Sequence, residues 1–210
     1  MTSGPFAAVV LADGSGTRFG GGKMRALLGG RPLVAHVLAA ARAAGMERLV
    51  LVLGRDAAEV LTALRAAEGA AGDLHGVLVV LNAAPERGMA SSLRLGLAAA
   101  TADPTPAGVV ILLGDQPRVR PEVIAALLDA SVSAPSGTLA VVPEYAADGA
   151  PNPVLLLPAA VTLVAELDGD RGLGALLAAR PERVVRVQVA GANPDIDTPA
   201  DLVALEGSRP

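Results

Sequence analysis

The sequence predicts an α/β fold built on a mostly parallel central sheet. Strand-like apolar segments alternate with helix-like segments through residue 131 of the 210 residues, which is the pattern of βαβ units. The composition agrees, because 52% of the residues are hydrophobic and 1% are aromatic. Val, Leu, Ile and Ala must then fill the core, as in a buried parallel sheet covered by helices.

The predicted strands are short apolar runs that end at glycine, asparagine or proline. Gly108–Leu113 is apolar throughout, which predicts a central strand buried on both faces. After residue 131 the alternation loosens, and the later strands are less regular. The predicted strands are Phe6–Leu11, Arg48–Leu53, Val77–Leu81, Gly108–Leu113, Thr138–Pro143, Val154–Leu157 and Val184–Val189.

The predicted helices lie between these strands and carry recognisable end signals. A proline opens the first helix and Gly45 follows its end, and Ser91 is the predicted cap of the third. Thr198 precedes Pro199 and Asp201 in a near capping box for the last helix. The helices are Pro32–Ala44, Ala57–Glu68, Ser91–Ala102, Pro121–Ser131, Leu173–Ala179 and Pro199–Glu206.

Composition and charge exclude several classes of function. The formal net charge of −4 argues against a nucleic-acid binder. The chain has no cysteine, so disulfides, thiolate catalysis and cysteine metal sites are excluded. No apolar run approaches the roughly 20 residues of a membrane helix, and the first residues lack the basic start of a signal peptide. We therefore expect a soluble cytoplasmic protein with no membrane partner.

A glycine-rich loop follows the first predicted strand and is the main functional signal. It carries Arg18 and ends at Lys23, the chain's only lysine. Glycine has no Cβ, so such a loop brings backbone N–H groups close to phosphates. A single lysine in an arginine-rich chain indicates a task for a compact point charge. The alternative is a flexible surface loop.

Neither standard phosphate-binding template fits this loop. A Rossmann fingerprint that starts at Gly14 requires glycine at position 19, where the chain has Phe19. A P-loop that ends at Lys23 requires glycine at Thr17 and a hydroxyl residue at Met24. The loop therefore predicts a phosphate site of another kind.

Carboxylates stand at two further places where a metal could bind. Asp115 lies just past an apolar strand, at the edge where open α/β sheets bind ligands, and it is suited to Mg²⁺ bound to nucleotide phosphates. Asp195 and Asp197 alternate in a strand-like segment, which predicts one shared face and a second metal contact. The alternatives are a turn aspartate before Pro117 and a carboxylate that caps the final helix.

Asn82 ends the third strand beside the same sheet edge, ahead of a helix that opens with Ser91 and Ser92. A helix N-terminus with hydroxyls favours anions or polar bases, although Ser91 is equally explained as a cap. His36 and His75 have no metal-ligand spacing and do not suggest a general base. An attacking phosphate is already ionised near neutral pH and needs no base, so positioning and charge neutralisation suffice.

Taken together, these segments resemble the molybdenum cofactor nucleotidyltransferase family, and its cytidylyltransferase branch in particular. The resemblance covers nearly the whole chain and depends on several motifs in order. They are LADGSGTRFGGGK (11–23), GGRPLV (29–34), Asn82 with GMASSLRLGL (88–97), LLGDQP (112–117), GDRG (169–172) and DIDTPADL (195–202).

The resemblance implies a three-layer αβα nucleotide-binding fold of the nucleotide-diphospho-sugar transferase type, in one domain over residues 1–210. Residues 1–131 would bind the nucleotide and residues 132–210 the acceptor. It implies catalytic roles for Arg18, Lys23 and Asp115, and Mg²⁺ bound by Asp115 with Asp197 or Asp195. The implied nucleotide-binding residues are Leu11, Ala12, Gly14, Gly16, Arg18, Lys23, Asn82, Ser92 and Asp115.

Three positions depart from the family's usual residues. Asp13 replaces an alanine or glycine, and its carboxylate could accept from cytosine's amino group or from guanine's N–H edge. Gly22 replaces a proline that is common before the lysine. Arg25 replaces an apolar residue and could reach an acidic substrate or solvent.

The leading hypothesis is an enzyme that transfers CMP from CTP to the terminal phosphate of molybdopterin or molybdenum cofactor, releasing pyrophosphate. Alternatives are a GTP-dependent or other-acceptor enzyme, a non-catalytic nucleotide-binding maturation factor for molybdenum enzymes, and a divergent dinucleotide oxidoreductase. A molybdenum enzyme or its maturation factor is a possible partner. The acceptor pocket is expected between Tyr145 and Gly172, with Arg171 as a candidate contact.

Overall fold

The chain alternates strands and helices along most of its length. The structure is a computed structural model that describes residues 5–14, 16–68, 74–102, 104–146, 150–164, 167 and 173–207. Its strands are β1 (Ala7–Ala12), β2 (Leu27–Leu28), β3 (Arg31–Pro32), β4 (Arg48–Leu53), β5 (Val77–Leu81), β6 (Val109–Leu113), β7 (Ala140–Tyr145), β8 (Val154–Leu156) and β9 (Val184–Val189). Its helices are α1 (Leu33–Ala43), α2 (Ala57–Glu68), α3 (Met89–Ala100), α4 (Pro121–Val132), α5 (Pro158–Val164), α6 (Leu173–Ala178) and α7 (Pro199–Gly207).

Within the described ranges, the central sheet has seven strands, in the order β5-β4-β1-β6-β8-β7-β9. The first four strands in that order pair in parallel, and β8 runs antiparallel between β6 and β7. β1 is an interior strand between β4 and β6, where Val10 stands opposite Leu51 on one side and Leu112 on the other. The predicted α/β class with a mostly parallel sheet is confirmed.

Alternation along β1 sends side chains into cores on both faces of the sheet. Ala8, Val10 and Ala12 pack with residues of α1, α2 and α4, while Val9 and Leu11 pack with residues of α3, α5 and α6. The sheet is therefore the middle of three layers, as the resemblance implied. The apolar character of β1 and β6 follows from burial on both faces.

Two features were not predicted from the sequence. β2 and β3 form a small antiparallel hairpin, and α5 follows β8 directly. The hairpin joins a minor core with α7, in which Leu33, Ile196 and Leu205 are buried. This core ties the segment after the glycine loop to the segment before α7.

The predicted cap at Ser91 is wrong. Helix α3 begins at Met89, with Gly88 at its cap position in a conformation (φ 84°) that favours glycine. Ser91 therefore lies in the first turn and is buried. At α7 the predicted capping is confirmed, because the Asp201 carboxylate accepts from the backbone N–H of Thr198 at 2.7 Å. Hydrogen bonds from Thr198 lower the pKa of Asp201 below its ordinary value.

In the described ranges, none of the helices is both long and apolar enough to cross a membrane.

Candidate active site

Polar residues gather at the carboxyl edge of the parallel strands. Asp13 follows β1, Asn82 follows β5, and Asp115 stands two residues past β6. Gly54 follows β4 and has no side chain to fill the space between them; an ideal Cβ there would lie 3.2 Å from the Asp13 Cβ. Open α/β sheets bind their ligands at this edge.

The glycine loop folds back on itself and delivers Lys23 to this edge. The N–H groups of Phe19 and Gly21 both donate to the Gly16 carbonyl, at 2.9 and 3.0 Å. Gly16 has a φ of 56°, and a Cβ there would lie 3.0 Å from the Lys23 Cβ. A larger residue at position 16 would push Lys23 away, so Gly16 acts through the lysine's position.

Gly114 lets the loop pack closely against the end of β6. A Cβ on Gly114 would lie 3.0 Å from both the Ala12 Cβ and the Met24 Sδ. Met24 is buried, and the close packing places its neighbour Lys23 beside Asp115. Glycine is therefore needed at position 114 for steric reasons, while Asp115 supplies the carboxylate that contacts Lys23.

Lys23 and Arg18 hold two carboxylates together. The Lys23 Nζ donates to Asp115 Oδ2 at 2.7 Å and to Asp197 Oδ1 at 3.2 Å. Arg18 lies on the solvent side, 3.0 Å from the other oxygen of Asp197. The structure thus brings together four residues that are far apart in sequence. The Lys23 side chain is 8% exposed, against 74% for Arg18.

These contacts keep Lys23 charged. Burial disfavours its ammonium, but hydrogen bonds and attraction from Asp115, and then from Asp197, outweigh burial and raise the pKa of Lys23. The site therefore offers a permanently cationic group at neutral pH.

Asp195 lies in the same region but has different partners. Residues 190–198 form no strand, so the predicted strand-like pairing of Asp195 with Asp197 is wrong in its geometry. Asp195 accepts from Gln116 Nε2 at 2.8 Å, and Gln116 in turn accepts from the buried Asn193 at 3.0 Å. The Ile196 N–H donates to the Asp115 carbonyl at 3.0 Å, which fixes this segment to the end of β6.

Asp195 is an exposed residue overall, but its carboxylate is partly desolvated. This desolvation raises the pKa of Asp195; the hydrogen bond from Gln116 opposes the rise, and the negative charges of Asp115 and Asp197 add to it. Of the two late aspartates, Asp197 is the one that contacts Lys23.

A second polar cluster surrounds Asn82. Its Nδ2 lies 2.9 Å from the hydroxyls of Ser91 and Ser92 and 3.0 Å from Asp13 Oδ2. Ser92 also donates to Asp13 Oδ2. The Ala84 N–H donates to Asn82 Oδ1 at 3.0 Å, which fixes the orientation of the amide. Asp13 therefore belongs to a hydrogen-bond network with Asn82 and Ser92.

An apolar pocket of about 360 Å³ opens on the α3 and α6 face of the sheet. It begins below the ends of β1 and β6, at Leu11 and Leu113, and extends towards β7 and β8. Arg186 and Asn152 are polar residues of its lining. The prediction of an acceptor pocket at residues 145–172 overlaps this lining only at positions 150–154; GDRG (169–172), with Arg171, lies outside the described residues.

The site offers two carboxylates, those of Asp115 and Asp197, as oxygen ligands for a metal ion. No group of three or more His, Cys, Asp or Glu side chains is arranged to hold a metal within the described ranges. Asp115 and Asp197 share one cation, Lys23. Mg²⁺ commonly binds one or two carboxylates and completes its coordination with water and phosphates, so this donor set fits it. Histidines are absent from the contacts described at this site; His36 Nε2 lies 2.9 Å from the Leu28 carbonyl oxygen.

The structure brings the predicted site residues to one edge, in two clusters. Leu11 and Ala12 end β1 and are buried, Gly14 is exposed, and Gly16 packs on Lys23. Sequence reasoning missed Gln116, Arg186 and the bonding between Asp13 and Asn82. The contacts of Asp13 depend on the strand order, which no local pattern signals.

A glycine loop, a buried lysine and paired carboxylates at the edge of a parallel sheet are features of α/β proteins that bind phosphorylated ligands. Comparison with known proteins agrees with this class. The family described as the MobA-like NTP transferase domain matches residues 8–184. The chain belongs to this family of nucleotidyltransferases.

Among solved structures, the chain is similar to Rv0371c from Mycobacterium tuberculosis H37Rv, with 33% identity and a TM-score of 0.79 over 99% of this chain and 100% of that one. A structure of that protein in complex with manganese gives a TM-score of 0.77 at 30% identity, over 98% and 100%. A CMP:2-keto-3-deoxy-manno-octonic acid synthetase complexed with CTP shares the fold at 16% identity, with a TM-score of 0.70 over 97% of both chains.

Curated relatives match part of the chain and are longer. The bifunctional protein GlmU of Geobacter metallireducens is 34% identical over 129 residues, which is 60% of this chain and 25% of that protein. GlmU of Sorangium cellulosum is 37% identical over 140 residues, or 64% and 28%. The chain thus spans about a quarter of the length of these relatives.

Proposed function

We propose that the protein transfers CMP from CTP to the terminal phosphate of molybdopterin or its molybdenum form, releasing pyrophosphate. The observation that carries the proposal is the contact of Lys23 with both Asp115 and Asp197 at the end of the glycine loop. This arrangement supplies cationic groups and metal-binding oxygens at one point, which is what phosphoryl-type transfer requires.

In the proposed reaction, an oxygen of the acceptor phosphate attacks the α-phosphorus of CTP. A new O–P bond forms, the bond from the α-phosphorus to the bridging oxygen breaks, and pyrophosphate leaves. A phosphate monoester is largely a dianion near neutral pH, so no general base is needed. Lys23 and Arg18 neutralise the charge on the phosphates, while backbone N–H groups of the loop residues Gly14 and Gly16 cradle them.

Asp115 and Asp197 would hold Mg²⁺ in this proposal. A bound Mg²⁺ supplies Lewis-acid polarisation of the phosphate oxygens. The manganese complex of Rv0371c supports a divalent cation in a similar chain. Lys23 would then contact phosphate oxygens as well as the two carboxylates.

The order of the strands supports a separate position for each proposed substrate. Leu11, Ala12, Asn82 and Ser92 would contact the nucleoside on the β4 and β5 side. The apolar pocket on the β7 and β8 side would take the acceptor, with Arg186 as the cation for an anionic group. Residues 1–131 would thus supply the nucleotide half and 132–210 most of the acceptor half. The motif Gly114-Asp115-Gln116-Pro117 resembles that of the cytidylyltransferase branch, and this resemblance supports CTP over GTP.

The test is pyrophosphate release with each of the four nucleoside triphosphates, with and without molybdopterin, in Mg²⁺ or Mn²⁺. We expect release only with CTP and molybdopterin together. Release with GTP instead would assign the other branch, and release with a different phosphorylated acceptor would replace molybdopterin. Nucleotide binding without release under any condition would favour a binding or maturation factor.

A further inference from the structure

Asp13 is an acidic residue that the proposed chemistry does not use. It follows β1, and its carboxylate reaches across the end of β4 to Asn82 and Ser92. The absence of a side chain at Gly54 makes room for it, since the Gly54 Cβ position lies 3.0 Å from the Asp13 carbonyl oxygen. Asp13 thus lies towards β4 and β5, where the proposed function puts the nucleoside.

The network occupies one carboxylate oxygen and leaves the other open. Asp13 Oδ2 accepts from Asn82 Nδ2 at 3.0 Å and from the Ser92 hydroxyl. Both donors are buried, at 4% and 1% exposure. Among the residues that the structure describes, none donates to Asp13 Oδ1. The result is a single anionic acceptor held in a fixed direction.

An acceptor oxygen held in a fixed direction, such as Asp13 Oδ1, favours a base that presents a hydrogen-bond donor to it. Cytosine presents an amino group at C4, whereas a base with the uracil pattern presents a carbonyl oxygen there, which a carboxylate would repel. Guanine's adjacent N–H groups fit a carboxylate with both oxygens free, and Oδ2 of Asp13 is already occupied. We propose that Asp13 Oδ1 accepts a hydrogen bond from the amino group of cytosine and so selects CTP over UTP. This inference rests on the proposed function insofar as a nucleotide must bind at this edge.

The network also dictates what an amide at position 13 would do. Asn82 Nδ2 and Ser92 donate towards Oδ2, so in Asp13→Asn the amide oxygen would face them. The amide nitrogen would then take the place of Oδ1 and present a donor. This variant therefore exchanges the acceptor for a donor while keeping the supporting hydrogen bonds.

The experiment is isothermal titration of CTP and of UTP, each with Mg²⁺ and without acceptor, into the wild type and three variants. We expect the wild type to bind CTP about tenfold to a hundredfold more tightly than UTP, as suits one hydrogen bond to a charged group. Asp13→Asn should reverse the preference, and Asp13→Ala should abolish it. Asp129→Asn removes a distant exposed carboxylate on α4 and should keep the wild-type ratio.

Equal affinities in the wild type, or a CTP preference that survives in Asp13→Asn, would overturn the role of Asp13 while leaving the proposed transferase intact. Failure of the folded wild type to bind either nucleotide would overturn the proposed function and this inference with it. Circular dichroism verifies the fold of each variant. Asp13→Asn keeps the test decisive if the alanine variant does not fold, because it retains the network.

Discussion

Replacing Lys23 by methionine isolates the charge at the centre of the site, since the two side chains are similar in length. At an effective dielectric constant of about 20, the attractions at 2.7 and 3.2 Å are about 6 and about 5 kcal/mol. Desolvation of the ammonium cancels several kcal/mol of this. The variant also leaves Asp115 and Asp197 close together without the lysine; among the described residues, Arg18 is then the remaining cation, paired with Asp197.

Loss of one partner from a buried ion pair costs about 3–5 kcal/mol, and the 34% exposure of Asp197 favours the lower end. We therefore expect Lys23→Met to lower the free energy of unfolding by about 3 kcal/mol, or the melting temperature by roughly 6–12 °C. Mn²⁺ should restore more stability to this variant than to the wild type, because without the lysine the two carboxylates carry more uncompensated negative charge for the metal to neutralise. Pyrophosphate release should fall at least about a hundredfold.

The assay is thermal unfolding with and without Mn²⁺, with Arg25→Met as the matched control. Arg25 is an exposed cation two residues further along the loop, so its loss should change stability by less than about 0.5 kcal/mol. An unchanged melting temperature in Lys23→Met, together with an unchanged response to Mn²⁺, would refute the coupling between the lysine and the two carboxylates.

Three other outcomes can be measured separately. Asp115→Asn should reduce pyrophosphate release at least about a hundredfold with an unchanged circular dichroism spectrum; full activity would remove Asp115 from the metal site. Gly96→Ala in α3 should lower the free energy of unfolding, measured in urea, by about 1–2 kcal/mol. The new Cβ would lie 2.4 Å from a β1 valine methyl group, and the cost of this overpacking exceeds the gain in helix propensity. As a control, Gly174→Ala in α6 would add a Cβ that meets nothing within 4 Å, so it should not destabilise the protein. Asp201→Asn should lower the melting temperature at pH 7. The difference in melting temperature between wild type and variant should disappear as the pH falls below 3.8 and through the lowered pKa of Asp201, because the carboxyl group is then protonated in the folded wild type as well. A difference that stays constant down to pH 2 would contradict this linkage.

β1, β4 and β6 were predictable because they are buried on both faces and therefore read as apolar runs. β5 also reads as an apolar run, although it lies at the sheet edge with Leu78 and Leu81 exposed. β4 and β5 were predicted to the residue, and β1 and β6 within one residue. The hairpin of β2 and β3 has two residues per strand, too few to show alternation. Helix α5 was missed because Pro158 and the alanines after it continue the apolar run of β8 without a polar boundary.

The site was predictable where one residue had an unusual chemical character. Lys23 and Asp115 stood out, as the only lysine and as an acid at the end of an apolar strand, and the structure places them 2.7 Å apart. The prediction for Asp195 and Asp197 was wrong in geometry because the segment is held by Gln116 and the Asp115 carbonyl and not by strand pairing. The partners of Asp13 come from β5 and α3, and local sequence does not encode that β4 separates β5 from β1.

The contact between Lys23 and Asp197 spans 174 positions of the chain. A polypeptide that has folded only residues 1–131 would have the glycine loop and Asp115, yet would lack Asp197, the carboxylate that completes the cluster. Contacts between distant segments form late, since the chain between their ends must first be ordered. The cluster would therefore be assembled at the end of folding, so that incomplete chains would leave Lys23 with one of its two carboxylate partners.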